Sequence, residues 1–270
     1  MIPTVIILGA GASKPYKFPL GRELRNMILN MNDLNLADIL PDSINHEKFR
    51  NFLRALSRSG YGSVDAFLET RNDFIQEGKF AIAWQISRLE DEHNLFPPIA
   101  GGSACWYEIL VNSLLRGNSN HKGGGDIFSN LKIITFNYDR SLEQYLTVVL
   151  RTRQDYSLPP PSALIIHVHG SLGHLNSRPY IPNATKELVQ LSANSIKIVG
   201  EVDDNLHEFQ IAKDALGKAE RIWFFGFGYY EPNMRRLGFE PGKISYSAKV
   251  WTQTVGFNEQ DRLNLGLVQK

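Results

Sequence analysis

The sequence has little cysteine, little net charge and no long apolar run. Its 270 residues include one cysteine, Cys105, which cannot form an internal disulfide or a multi-cysteine zinc site. Lysine and arginine total 29 against 28 acidic residues, so bulk charge gives no argument for binding nucleic acid or a membrane surface. No window approaches the run of about 18 apolar residues that spans a bilayer, and the N-terminal apolar tract is too short for a signal peptide. We therefore expect a soluble, cytoplasmic protein.

The composition is that of a folded globular chain. Hydrophobic residues make up 43% and charged residues 21%, which excludes wholesale disorder and a fibrous repeat. The length suits one large domain, and we expect a single domain over residues 1–270 that carries a helical insertion.

Short β-branched apolar runs alternate with segments of helical spacing. The alternation predicts an α/β fold, a Rossmann-like parallel sheet with helices on both faces. The expected strands are Val5–Leu8, Leu131–Phe136, Leu164–Val168, Ile222–Phe225 and Ala248–Thr252, with a possible short one at Ile196–Val199. The expected helices include Arg22–Met31, Asp139–Leu150, Ala184–Leu191, Asp204–Ala219 and one from about Asn258.

A long stretch between the first two strands has only helical periodicity. It contains faces such as Phe49, Phe52, Leu53 and Leu56, and it ends in the glycine-rich tract Gly117–Gly125. We expect a helical subdomain over roughly residues 47–128. Further along, Pro159–Pro161 predicts a loop because proline lacks a backbone donor.

Gly9-Ala10-Gly11-Ala12-Ser13 directly follows the first strand. Small residues let backbone N–H groups approach a pyrophosphate near a helix N-terminus. The motif is not the dehydrogenase fingerprint, since Lys14 stands where the third glycine belongs, and no Gly-Lys-Ser/Thr of an ATPase is present. The alternative is a tight turn that needs small residues to pack strand against helix.

Thr135-Phe136-Asn137-Tyr138-Asp139 ends the second strand. Alternation would bring Thr135, Asn137 and Asp139 to one side, where the asparagine amide can hold a hydroxyl or water. The alternative is that Asp139 caps the following helix and Asn137 shapes the turn.

His167-Val168-His169-Gly170 ends the next strand. A histidine titrates near neutral pH and is a common general base. His167 and His169 would share a face, and with His174 they could suggest a metal site, but acidic or cysteine partners at ligand spacing are missing, so we expect no metal. A structural role for these histidines is the alternative.

Gly226-Phe227-Gly228 ends a fourth strand and again permits close backbone approach to a ligand, or a simple turn. Four such motifs at the ends of parallel strands favour a ligand site in the crevice at that edge of the sheet.

The ordered set of these motifs resembles the sirtuin superfamily, and most closely the sirtuin-like NAD hydrolase domains of bacterial antiphage systems. Lys14-Pro15 and Pro19-Leu20-Gly21 are similar to that branch rather than to the deacetylases. The resemblance extends from Val5 to about Gly256, with the helical region as its variable part.

The resemblance implies that NAD binds in the crevice as the substrate and that Asn137 and His169 are the catalytic pair. The cofactor-binding residues that it implies are Gly9, Ala10, Gly11, Ala12, Ser13, Pro19, Thr135, Asp139, Gly226 and Gly228. Two departures stand out: the four-cysteine zinc module of the deacetylases is excluded, so no zinc is expected, and Leu20-Gly21-Arg22 replaces the acidic residue and Phe-Arg that follow the deacetylase proline.

The activity implied is an NAD glycohydrolase that yields nicotinamide and ADP-ribose or cyclic ADP-ribose, in antiphage defence by NAD depletion or signalling. One alternative is a non-catalytic module that senses NAD or ADP-ribose, and another is a protein deacylase or ADP-ribosyltransferase. Because a freely running NAD hydrolase would harm its host, we expect control by a homo-oligomer or a separately encoded regulatory protein.

Overall fold

The computed structural model describes residues 2–96, 105–118, 130–153, 163–198, 207–240, 243–244 and 247–252. Some sequence expectations fall outside these ranges: the Pro159–Pro161 loop, the helix from about Asn258, the part of the glycine-rich tract after residue 118, and the segment from Val199 to residue 206, which includes the expected helix start at Asp204.

A five-stranded parallel sheet forms the centre of the fold. Its strands are β1 (Thr4–Leu8), β2 (Leu131–Thr135), β3 (Ile165–His167), β4 (Arg221–Phe225) and β7 (Lys249–Thr252), in the order β3-β2-β1-β4-β7. β1 is central, since Thr4 pairs with Leu131 on one side and with Arg221 on the other. The order reverses between β1 and β4, and ligands of such sheets bind outside the carboxyl ends of strands at that point.

Helices cover both faces of the sheet, which confirms the predicted α/β, Rossmann-like fold. The helices are α1 (Ala10–Ser13), α2 (Gly21–Leu29), α3 (Leu36–Ile39), α4 (His46–Arg58), α5 (Val64–Thr70), α6 (Ile75–Ser87), α7 (Trp106–Asn118), α8 (Ser141–Thr152), α9 (Lys186–Ser195), α10 (His207–Lys218) and α11 (Glu231–Arg236). Two further strands, β5 (Phe239–Glu240) and β6 (Lys243–Ile244), form a short antiparallel pair.

Successive side chains along each strand point to opposite faces of the sheet, so each face has its own hydrophobic core. Ile6 of β1 and Ile133 of β2 pack under helices α2 to α9, whereas Ile7 and Ile134 face α10 and α11 on the other side. These isoleucines are 8%, 0%, 0% and 0% exposed, so the strands are buried on both faces, as near-continuous β-branched runs require.

Helices α1 to α7 lie between β1 and β2, where the sequence predicts helical structure. Several begin at the residues that cap helices best: Asn45 accepts from the Lys48 N–H at 2.9 Å, and Ser63 accepts from the Ala66 N–H at 3.2 Å. None of the helices in the described ranges combines the length and the apolar character that crossing a bilayer requires.

One expected strand is not formed as predicted. Within the described residues, the segment from Ile196 makes only an isolated antiparallel bridge between Ile196 and Gly170, and residue 199 is not described. The segment follows directly on α9, and the carbonyl of His169 accepts a hydrogen bond from the Lys197 N–H at 2.9 Å. It therefore secures the turn after β3 instead of extending the sheet.

Candidate active site

The turn after β1 packs directly against the turn after β4. The Gly9 N–H donates to the Phe225 carbonyl at 3.0 Å, and the Gly11 N–H donates to the Gly226 carbonyl at 2.9 Å. A Cβ on Gly226 would lie 2.0 Å from the Ala12 nitrogen, and the φ of Gly226 is +56°. A Cβ on Gly9 would lie 2.6 Å from the Gly226 carbonyl oxygen. The glycines are therefore required for this close contact between two backbones.

In this contact, backbone N–H groups that we expected to bind a pyrophosphate are already hydrogen-bonded within the protein. Gly9 and Gly11 donate to the β4 turn, and the Ala12 N–H donates back to the Gly9 carbonyl at 2.9 Å. The Ala10 N–H makes no hydrogen bond within the described residues. A phosphate at this turn would therefore meet Ala10 first, and the tight-turn interpretation accounts for the packing of the glycines.

Asn137, directly after β2, is held by four hydrogen bonds. Its backbone N–H donates to Thr135 Oγ1 at 3.1 Å, and its carbonyl lies 2.9 Å from His167 Nδ1. The side-chain Nδ2 donates to the Gly9 carbonyl and to Ser13 Oγ, each at 3.0 Å. Because a carbonyl only accepts, the amide nitrogen must face Gly9. The Asn137 Oδ1 is left without a hydrogen bond inside the described residues, so it is free to hold a ligand.

Asp139 belongs to the same buried polar group. Its Oδ1 accepts from the Ser141 N–H at 3.1 Å and from Ser141 Oγ, so it satisfies the first N–H of α8 from one position before the N-cap residue, Arg140. Burial raises the pKa of Asp139, against the opposing effect of hydrogen bonds from Ser141 and Ser13. Thr135, Asn137 and Asp139 are thus brought together, and Ser13 of α1 joins the last two.

Two aromatic residues of α7 pack against α1 and the residues that follow it. Trp106, at the start of α7, donates from Nε1 to the Ala12 carbonyl at 2.8 Å and stacks on Phe225. Tyr107 stacks on Tyr16 with ring centroids 3.7 Å apart. The sequence analysis missed both residues; adjacent aromatic residues at the start of a helix are the only signal that could have indicated them.

His169 occupies an aromatic environment on the α10 side of the sheet. Its ring meets Phe136 edge-on at 5.2 Å and Phe209 at 6.0 Å between centroids. Its buried Nε2 has no hydrogen-bond partner in the described part of the chain. Burial, with a smaller effect of the Arg236 charge, lowers the pKa of His169 to about 3. The imidazole is therefore neutral at physiological pH, with a nitrogen able to accept a proton.

Asn137 and His169 flank the same aromatic residue. Phe136 immediately precedes Asn137, and its ring contacts both His169 and Phe227 of the β4 turn, the latter at 5.0 Å between centroids. No hydrogen bond joins Asn137 to His169 among the described residues. The structure places the predicted catalytic pair at neighbouring strand ends, with Phe136 next to both.

The prediction that His167 and His169 share a face is wrong. His167 Nε2 pairs with Glu143 of α8, whereas His169 packs against Phe209 of α10 on the opposite side of the sheet. The cause is that β3 ends at His167, so strand alternation does not continue through Val168. Glu143 is a third residue that the sequence analysis missed, since nothing local links a helix carboxylate to a strand 24 positions later.

A buried ion cluster fixes the chain on both sides of this region. Glu90, which is fully buried, receives two hydrogen bonds from the Arg140 guanidinium at 2.9 and 2.7 Å and a third from Arg178. Arg140 also donates to the carbonyls of Gly173 and Pro179 at 3.1 and 3.3 Å. The cluster ties the end of the α6 segment to the β2 turn and to the loop after β3, and sequence patterns gave no sign of it.

The remaining predicted residues lie at the margin of this region. Pro19 is half-buried just before α2, and Gly228 is exposed, with no atom of the described residues within 4 Å of a Cβ placed on it. His174 is exposed as well. No group of three or more metal-ligating side chains occurs in the ranges that the structure describes.

Comparisons of the chain with protein-family models, with curated proteins and with solved structures give no match. The likeness to sirtuin-like NAD hydrolases therefore stays a prediction from the motifs around Gly9, Asn137, His169 and Gly226. The parallel sheet alone does not decide function, because one fold of this type supports many chemistries.

Proposed function

We propose that this protein cleaves the N-glycosidic bond between nicotinamide and ribose in NAD. One observation carries the proposal: two adjacent strand ends hold the Asn137 carboxamide oxygen and the buried nitrogen of a neutral His169, and neither atom has a hydrogen-bond partner among the described residues. Asn137 bonds to Gly9 and Ser13 of the β1 turn, and His169 lies at the next strand end, against Phe136. Both are at the edge of the sheet where α/β proteins bind ligands.

The chemistry needs few groups. The leaving nicotinamide is a pyridinium that takes the bonding electron pair and departs neutral, so no acid has to protonate it. Asn137 Oδ1 accepts a hydrogen bond from the attacking water or ribose hydroxyl and orients it toward the ribosyl carbon. His169 accepts the proton released as the new C–O bond forms. A positioned general base contributes about 10²–10⁴-fold to the rate.

The low pKa of His169 makes it a weak base in the free protein. The positive charge of Arg236 contributes to that lowering, so an anionic diphosphate bound nearby would raise the pKa of the imidazole. Substrate binding would in this way bring the pKa of His169 closer to the working pH, where a general base is most effective.

The test is NAD consumption by purified protein, with nicotinamide followed by chromatography. We expect His169→Ala and Asn137→Ala to lose turnover, and the matched control His174→Ala, an exposed histidine five positions further on, to keep it. Melting temperatures of all four proteins show whether a loss reflects unfolding. Wild-type turnover in a folded His169→Ala variant would overturn the catalytic assignment.

The low pKa of His169 is also the observation that favours a second candidate, a module that binds NAD or ADP-ribose without cleaving it. Titration calorimetry separates the two, because the module would bind either ligand with no nicotinamide release under any condition tested. Absence of both binding and turnover would reject both candidates.

The wider role is a further part of the proposal. We propose action in antiphage defence, in the cytoplasm, by depleting NAD or by producing a signalling nucleotide. Control through a homo-oligomer or a separately encoded protein is tested by size-exclusion chromatography with light scattering. A fully active monomer would remove the need for either.

A further inference from the structure

His167 bridges the predicted catalytic asparagine and an acidic side chain. Its Nδ1 lies 2.9 Å from the Asn137 carbonyl oxygen, and its Nε2 pairs with Glu143 Oε1. The His167 and Glu143 side chains are 14% and 13% exposed, so water screens this pair only weakly. Asn137 is thereby connected, through one imidazole, to the second residue after the start of α8.

Both partners of the His167 ring are acceptors. A backbone carbonyl never donates and an ionised carboxylate only accepts, so both ring nitrogens must carry hydrogen for the two contacts to form. A neutral imidazole has one N–H and satisfies one of them. If that hydrogen stays on Nε2, the Asn137 carbonyl loses its donor; if it stays on Nδ1, the other nitrogen lone pair faces the Glu143 carboxylate.

The charges around His167 favour the doubly protonated ring. Burial lowers the pKa of His167, but the nearby Glu143 carboxylate, its hydrogen bond and the Asn137 carbonyl outweigh this effect, with a further contribution from Asp139, and the pKa is raised. Thr135 of β2, the register partner of His167, is uncharged. Helix α10 packs on the opposite face of β3, through Phe209.

We propose that protonated His167, held by Glu143, is a positioning residue for Asn137. It fixes the Asn137 carbonyl while Thr135 fixes the N–H, so that the carboxamide keeps its contacts with Gly9 and Ser13 and its oxygen keeps one direction. This proposal rests on the proposed function only for its effect on catalysis, because the geometry it predicts exists without substrate.

The decisive measurement is a pH titration by NMR of the His167 imidazole and of the Asn137 side-chain amide, in the wild type and in Glu143→Gln. Glutamine keeps the shape of the side chain and still accepts from Nε2 but removes the charge. We expect the Asn137 amide resonances to shift together with the His167 titration, and both transitions to move to lower pH in Glu143→Gln. Asn137 resonances that do not follow His167 would overturn the proposal.

NAD turnover supplies the second readout. On deprotonation of His167 we expect kcat to fall by up to about 100-fold, as when a reacting group is misplaced by about 1 Å, with little change in KM. In a plot of kcat against pH, the alkaline decrease should move to lower pH in Glu143→Gln. It should stay in place in the control Glu92→Gln, which changes an exposed acid beside α8. An alkaline decrease unchanged in Glu143→Gln would overturn the proposal. A wild type that neither cleaves nor binds NAD rejects the proposed function alone, since the NMR titration still decides the positioning role.

Discussion

Alanine at Gly226 is expected to destabilise the fold far more than alanine at Gly228. Gly226 has a φ of +56°, and a Cβ there would lie 2.0 Å from the Ala12 nitrogen and 2.3 Å from the Gly11 carbonyl carbon. A left-handed backbone costs an L-residue about 1–2 kcal/mol, and overpacking adds about 1–3 kcal/mol. Because the obstructing atoms are backbone, they move only if the β1 and β4 turns separate. The expected loss in the free energy of unfolding is therefore about 2–5 kcal/mol.

Thermal melting followed by circular dichroism measures this effect. Each kcal/mol shifts the melting temperature by about 2–4 °C for chains of roughly this size, so Gly226→Ala should melt roughly 4–20 °C below the wild type. Gly228→Ala is the matched control, since its Cβ would meet no atom within 4 Å in the part of the chain that the structure describes. If Gly226→Ala melts together with Gly228→Ala and the wild type, the packing argument is refuted.

Three further predictions concern buried polar groups. Glu90→Gln leaves two buried arginines without their counter-charge and should cost about 3–5 kcal/mol in urea unfolding, whereas the exposed Glu92→Gln should cost almost nothing. His169 has a pKa of about 3 in the folded protein and an ordinary one when unfolded. Below about pH 6.5 the unfolded chain therefore binds a proton that the folded protein does not, and the free energy of unfolding falls by about 1.4 kcal/mol per pH unit. Stability measured from pH 7 to pH 5 should therefore fall less steeply in His169→Gln, and equal slopes would contradict the burial of this ring. Tyr107→Phe removes the 2.6 Å hydrogen bond to Ser141 and should lower the free energy of unfolding by about 0.5–1.5 kcal/mol, and an unchanged value would show that this bond contributes nothing.

The sheet could be predicted from the sequence because each strand is a local signal. β1, β2, β3 and β4 all begin and end within a residue of the predicted runs, since parallel strands buried on both faces have near-continuous apolar sequences. The Ile196 segment was the exception: its apolar residues serve a loop packed on the turn after β3, and a short apolar run does not distinguish the two.

The candidate site could be predicted only in part. The motif positions correctly bring Asn137 beside Gly9, because the ends of the paired parallel strands β1 and β2 meet at one edge. Other contacts of the site come from distant sequence: Trp106 of α7 bonds to the Ala12 carbonyl, and Glu143 of α8 pairs with His167. The glycines looked like a phosphate loop, yet their immediate role is contact between two turns, which a single sequence cannot distinguish from ligand binding.

The central position of β1 also determines the order in which the chain assembles. β1 is synthesised first, but its partners β2 and β4 begin at Leu131 and Arg221, after all of α1 to α7 has been made. Contacts over such sequence separations form slowly, and local helices form much earlier. The apolar run Val5–Leu8 therefore stays unpaired in the nascent chain after helices α1 to α7 have formed. Refolding yield should consequently depend on protein concentration, because an unpaired apolar strand readily joins another copy of itself.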